Sequence, residues 1–260
     1  MRGVTETGCP ELQTMIAGGT RAWGAPCAAL LLLAGCAAPD AREGDDRAAP
    51  DFDDPAPLRA QGNEPGWHAE IERDGLRLEL DYGASAHTIG HDGGEPAGGA
   101  WRYRGEADGK RVALDVHDEL CVDDMSGMPY PYTVALAFGE RSLAGCGGDP
   151  AALLSAHEWQ VVTVDGDAVA GEAAVTLAFA DDGQLHGQGP CSPYSGQWRL
   201  TGESLTLHHL EAGGATCTAA QRRAQEQLLG RLAETTRFEA PDAQALILHG
   251  PEGRVRAEAR

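Results

Sequence analysis

The chain has 260 residues, with 20 Lys and Arg against 40 Asp and Glu, a formal net charge of −20. That balance excludes binding driven by nucleic-acid phosphates and electrostatic adhesion to anionic lipid head groups, both of which need a basic face. Hydrophobic residues make up 42%, aromatics only 5%, and there are 35 Gly, so any core is small, and small cores commonly need covalent staples.

The first feature along the chain is an apolar run from Ala28 to Gly35, preceded by Arg21. It has the length of a signal-peptide core and is far short of the roughly 20 residues of a membrane-spanning helix. Residues 1–14 are polar and set Glu6 and Glu11 against Arg2 alone, which does not suit a basic leader, so translation is expected to start at Met15. The run ends in Leu33-Ala34-Gly35-Cys36, which has the form of a lipobox. The segment resembles bacterial lipoprotein signal peptides. That resemblance implies that residues 1–35 are removed and that Cys36 becomes the first mature residue. It also implies acylation of Cys36, palmitate labelling, and attachment to a membrane through the lipid on Cys36. One acyl chain holds a membrane only marginally, so several are expected. Ala37 rather than Asp follows the cysteine, which by the same resemblance implies the outer membrane, facing the periplasm.

Seven cysteines are present. Cys9 and Cys27 leave with the leader and Cys36 takes lipid. Cys121, Cys146, Cys191 and Cys217 remain, an even number in an oxidising compartment, which reads as disulfides. Three pairings are possible. The positions form one local pair in each half, which favours Cys121–Cys146 and Cys191–Cys217, each closing a loop of roughly 25 residues worth about 3 kcal/mol. No C-x-x-C occurs and the spacings do not suit zinc, so no metal and no cofactor is expected.

Residues 37–60 are rich in Asp, Ala and Pro and read as a disordered tether. From residue 61 the pattern is β. Trp67, Ala69 and Ile71 alternate with polar residues, as do Leu76, Leu78 and Leu80 after the Asp74-Gly75 turn. Val112, Leu114 and Val116 alternate after Asp108-Gly109, and Tyr132, Val134, Leu136 and Phe138 alternate again. Residues 87–99 show no periodicity and read as a Gly-rich loop. Residues 61–148 are therefore expected to form one all-β domain. Its opening Gly62-Asn63-Glu64-Pro65-Gly66-Trp67, with Cys121-Val122-Asp123-Asp124 and Gly145-Cys146-Gly147 at its close, resembles an uncharacterised family of envelope lipoprotein domains beginning G-N-E-P-x-W. Gly66 stands where that family usually has an aromatic residue.

Residues 147–156 read as a short join. Strand patterns resume at Trp159-Gln160-Val161, Val175 to Phe179, Tyr194 to Leu200, and Leu205 with Leu207. Thr218-Ala219-Ala220-Gln221 is a capping box. Ala224, Leu228 and Leu232 follow at helical spacing, predicting a helix over Ala219–Ala233. Leu246, Leu248 and Val255 flank a final turn at Gly250 to Gly253. Trp159, Leu177 to Phe179, Gly189-Pro190-Cys191-Ser192, Gly196, Thr216-Cys217, Glu226 and Leu228 together resemble the META domain, the HslJ-like family. The resemblance covers residues 156–258. It implies an envelope heat-shock, stress-response or antibiotic-tolerance association and no reaction. Pro190-Cys191-Ser192 replaces the family's usual Gly-Cys-Asn.

The fold is thus expected to be mainly β: two small β-rich, barrel- or sandwich-like domains, separable at the join, the second α+β with one amphipathic helix. Trp67, Trp101, Trp159 and Trp198 are expected to anchor the two cores.

No catalytic constellation stands out. Ser192 and Ser195 lie near His208 and His209, but no G-x-S-x-G elbow is present. His208 and His209 are adjacent in a strand and should face opposite ways, which disfavours a shared metal. His87, His91 and Asp92, and likewise His117-Asp118-Glu119, read as solvated polar loops. Asp123-Asp124 reads as a turn-forming acidic loop. The expected function is non-enzymatic: a lipid-anchored envelope protein that binds an unknown envelope protein or small ligand, and no nucleic acid. The alternatives are an inhibitor of a lysozyme-type muralytic enzyme and, last, a metal-handling protein or enzyme.

Overall fold

The computed structural model describes residues 49–169, 174–214 and 216–260. The signal segment, Cys36 and the first part of the expected tether lie outside the described residues. Among the described residues the chain is mainly β, with two nine-stranded antiparallel sheets, a two-stranded ribbon and two helices. No described helix is long and apolar enough to cross a membrane.

The first half contains β1 (Leu58–Asn63), β2 (Gly66–Ile71), β3 (Gly75–Leu80), β4 (Ser85–Gly90), β5 (Glu95–Ala97), β6 (Ala100–Ala107) and β7 (Lys110–His117). A ribbon follows, β8 (Cys121–Val122) with β9 (Pro129–Tyr130), and then β10 (Tyr132–Phe138) and β11 (Arg141–Gly147). The sheet order is β4-β3-β2-β1-β11-β10-β7-β6-β5. Trp67, Ala69 and Ile71 oppose Leu80, Leu78 and Leu76, so the alternating pattern turns one continuous apolar face inward. The sheet curls until β4 reaches β6. Gly105 permits that approach, because a Cβ there would overlap the Ile89 side chain.

Two expectations change here. Residues 87–99 hold β4 and β5 rather than a loop. His87 occupies an inward position, its ring 5.0 Å from that of Phe138, and a polar residue at an inward site hides the alternation. The folded domain also begins before residue 61. Leu58 and Ala60 are buried. Trp101 Nε1 donates to Phe52 O at 2.9 Å, the Phe52 ring stacks on Tyr132, and the Tyr103 hydroxyl donates to the Asp54 carboxylate. Burial first, then Asp54, pushes the Tyr103 phenol well above its ordinary pKa.

The join holds α1 (Pro150–Ser155). Asp149 caps it by accepting from Ala151 N at 2.9 Å, and Pro150 fills the first helical position, which lacks a partner for an N–H. The helix buries Leu154, whose carbonyl accepts from Trp159 Nε1 at 2.8 Å.

The second half contains β12 (Glu158–Val164), β13 (Asp167–Ala168), β14 (Thr176–Phe179), β15 (Gln184–Gln188), β16 (Pro193–Leu200), β17 (Leu205–Ala212), α2 (Ala219–Ala233), β18 (Arg237–Asp242), β19 (Ala245–His249) and β20 (Arg254–Ala259). The order is β17-β16-β15-β14-β12-β20-β19-β18, with β13 beside β12. A hydrogen bond from Leu205 N to Thr236 O at 2.9 Å brings the ends of this curled sheet together. The helix spans the predicted residues with both capping-box bonds present, and it buries Leu228 and Leu232 in the core of this half. A helix of this length is marginal alone and depends on that packing.

Trp67 and Trp159 are buried in separate cores, with Trp101 and Trp198 packed against them. The halves are nevertheless joined. Met128 of the ribbon is buried in the core of the second half, and Tyr130 packs against it. The described residues fall within one compact unit.

Candidate binding surface

The segment Gly62 to Trp67 forms the β1–β2 turn, and its composition follows from crowding. A Cβ at Gly62 would overlap Trp67 Nε1 and Ala144 O. Its absence lets the indole donate to Ala144 O at 3.1 Å. A Cβ at Gly66 would overlap the ring of Tyr82, so the aromatic ring beside Trp67 comes from the β3–β4 turn. Tyr82 N donates to Gly66 O at 3.2 Å and its hydroxyl to Asn63 O at 2.5 Å.

Asn63 extends the link. Its Nδ2 donates to Asp123 Oδ2 at 2.9 Å and also to the Asp124 carboxylate. Asp123 is buried and accepts from Ser126 N and Oγ, both at 2.7 Å, and from Met125 N at 3.2 Å. Burial pushes its carboxyl up, but the bonds from Ser126, Asn63 and Met125 outweigh burial and hold it below the usual carboxylate range. Asp123-Asp124 therefore forms a turn-making loop. Cys121, at its base, is bonded to Cys146.

These contacts tie the turn carrying Tyr82, through Asn63, to the loop carrying Val122 and Met125, and the two together form one tip. Tyr82 is 79% exposed, Met125 76% and Val122 61%, and they are the large hydrophobic residues left exposed among the described residues. Asp81 and Tyr82 both sit in the left-handed region, at φ 54° and 58°, a conformation costing about 1–2 kcal/mol per non-glycine residue. Arg141 grips Asp81 through two bonds of 3.0 and 2.7 Å and lowers its pKa. The tip thus exposes apolar side chains and is fixed from several sides. A separate cleft of about 810 Å³ lies between the first half and the start of α1, lined by Gln61, His68, Tyr130, Pro131, Tyr132 and Pro150 among others. Its size suits a small ligand.

In the second half Cys191 is bonded to Cys217. The turn at Gly189 to Ser192 is held by Gln225 of α2, whose Oε1 accepts from Cys191 N at 3.1 Å. Gly189 is required there, because a Cβ would overlap the Gln225 amide. Gln225 was not singled out from sequence; its signal was a polar residue on the inward face of an amphipathic helix. Residues 152–260 match the family model of the META domain.

The C-terminal half carries a META domain.

The turn, the disulfide and α2 described above all belong to this META domain, while the tip lies in the first half. No curated protein matches the chain. Solved structures similar to it include a protein from Burkholderia xenovorans, 20% identical over 43% of this chain and 88% of that one, TM-score 0.36. Another is a DUF4847 family protein from Bacteroides vulgatus, 14% identical over 41% of this chain and 94% of that one, TM-score 0.32.

The other candidates are scattered. Ser192 is buried beneath Gln225, whereas Ser195 stands in β16 opposite His186. His87 Nδ1 lies 3.3 Å from Asp108, and His91 Nδ1 accepts from Gly93 N at 3.0 Å with its ring against Tyr103. Both rings are turned toward the first core rather than solvated. His117 closes β7 opposite Thr133, and its carbonyl accepts from Glu119 N at 2.8 Å. His208 and His209 are both exposed, with ring centroids 4.9 Å apart, against the expected opposite orientations. Among the described residues no three His, Cys, Asp or Glu are grouped to hold a metal.

Proposed function

We propose that the chain is a lipid-anchored bacterial envelope protein that acts by binding rather than catalysis, through the tip at Tyr82, Val122 and Met125. The observation that carries this reading is the exposed Tyr82 ring, pinned at its amide and its hydroxyl on a turn that Asn63 bonds to the loop exposing Met125. Tyr and Met are enriched at interface centres, and a side chain already held in place loses little freedom on binding. The exposed Asp124 at the tip, with the net charge of −20, favours a basic protein partner. The lipobox ending at Cys36 supports anchoring, in the outer membrane by the residue that follows it. The META domain supports an envelope stress or antibiotic-tolerance association.

A second reading, inhibition of a lysozyme-type muralytic enzyme, is favoured by the same tip, because such enzymes are basic. Both readings are tested with the full chain and a basic lysozyme, measuring binding and residual lytic activity for wild type, Tyr82→Ala and Met125→Ser. Inhibition that both substitutions weaken supports the second reading. Binding that they weaken, with lysis untouched, supports the first alone. Wild-type binding that neither substitution changes would refute the tip as the surface.

A further inference from the structure

Strand β17 changes phase at His208-His209. Gln197 opposes His208 and Ser195 opposes Glu211, so Gly196 alone faces the two residues His209 and Leu210. This is a β-bulge, and its first residue, His209, has φ 54°, a position that glycine normally takes. Gly196 makes room for it: a Cβ there would lie 2.6 Å from Leu210 Cδ2 and 3.1 Å from His208 O. The extra residue lets Leu207 and Leu210 both pack on the second core while His208 and His209 both stay exposed.

Two features of the pair are those of a metal site. Two imidazoles on one ion, each nitrogen about 2.0–2.1 Å from it, have ring centroids roughly 4.5–5.2 Å apart for ligand angles of about 90–110°. The observed 4.9 Å falls in that range. In addition, His209 Nδ1 lies 3.1 Å from Gln197 Oε1. An amide oxygen accepts, so with Nδ1 donating to it, Nε2 is the nitrogen left to face an ion. A ligating histidine characteristically donates its other N–H to an oxygen in this way, which fixes its tautomer and ring orientation. Glycine would make the bulge without the strain that His209 carries, and strain held at an exposed position points to use of the side chain.

We propose that His208 and His209 bind a late divalent transition-metal ion, Cu(II) or Zn(II), with Gln197 as the positioning residue for His209. Imidazole suits both ions, and Cu(II) should bind the more tightly. The protein supplies two nitrogens, and water completes the coordination. Glu211 and Arg199 are the charged residues of β16 and β17 in the pairs flanking the site, opposite Ser195 and Thr206 respectively.

The test is titration of the full chain, its amino terminus blocked and Cys9, Cys27 and Cys36 alkylated, with CuCl₂ and with ZnCl₂ by calorimetry, together with Cu(II) electron paramagnetic resonance. The variants are His208→Ala, His209→Asn, which tolerates the left-handed backbone, and Gln197→Leu. One ion per chain is expected, with two coordinated nitrogens in the spectrum and one fewer in each histidine variant. Gln197→Leu should weaken binding by about 10–100-fold, and either histidine substitution by more. His208 is exposed on ordinary backbone, so its alanine variant keeps the fold. Wild-type binding no tighter than in the variant combining His208→Ala with His209→Asn would overturn the proposal.

Discussion

Asn63 Nδ2 donates to Asp123 Oδ2 at 2.9 Å, tying the β1–β2 turn to a loop 60 residues away. Asp123 is the acceptor on which that loop converges, since Ser126 and Met125 also donate to it. Asp123→Ala leaves those donors without their partner and should cost about 1–3 kcal/mol. Asn63→Ala removes one donor and should cost less. Urea unfolding of the two variants checks the order; equal stability of Asp123→Ala and wild type would show that the loop is held by other means.

The same carboxylate sets a pH dependence. Its folded-state pKa is lowered, so the unfolded chain takes up the proton first as pH falls. The contribution is complete above the ordinary aspartate value of about 4 and is lost as pH drops through the lower folded value. Asp165, lowered chiefly by its hydrogen bond from Arg231, acts in the same direction. Urea midpoints should therefore fall below about pH 4, and Asp123→Asn should flatten part of that fall. An identical pH profile for the variant would remove Asp123 as a source.

The META half shows how much was legible. Helix α2 could be read to its ends because its cap and its apolar spacing are local signals. Leu205, Leu207 and Leu210 carried a subtler one: their spacing changes from two to three, and Gly196 interrupts the partner strand, which together mark a bulge. Without that phase change His208 and His209 read as facing opposite ways. In the first half, β4 was hidden because His87 takes an inward position, and the start of the fold was hidden because Phe52 and Leu58 sit among Asp and Pro. The tip could not be read at all. It is assembled from Asn63, Tyr82 and Asp123, which only tertiary contact brings together.

Thr218 and Gln221 cap α2 reciprocally, at 3.2 Å for Gln221 N to Thr218 Oγ1 and 3.0 Å for Thr218 N to Gln221 Oε1. Thr218→Ala should cost about 1 kcal/mol. The adjacent Cys217–Cys191 bridge joins the helix entry to the turn that Gln225 holds. Its removal by Cys191→Ser with Cys217→Ser should cost about 2–5 kcal/mol. Denaturant unfolding with amide exchange across α2 checks both. Unchanged exchange in the bridgeless variant would separate the helix docking from the disulfide.

Met128 belongs by sequence to the first half, yet it is 5% exposed and lies in the core of the second with Leu154, Trp159 and Leu177. The ribbon carrying it is held by Cys121–Cys146 and by the Asp123 loop, so Met128 is delivered on a firm support rather than on a mobile strand. Truncating a buried methionine typically costs about 2–5 kcal/mol. Met128→Ala should therefore destabilise the META half through a residue outside the segment that its family model matches. With Met128→Asp the burial of an unpaired carboxylate should drive the ribbon off that core. The halves should then unfold in two steps, the second half first, where wild type should unfold in one. Differential scanning calorimetry resolves the steps, and amide exchange assigns each to β1–β11 or to β12–β20. A single transition at the wild-type temperature for Met128→Asp would mean that the ribbon contact couples nothing.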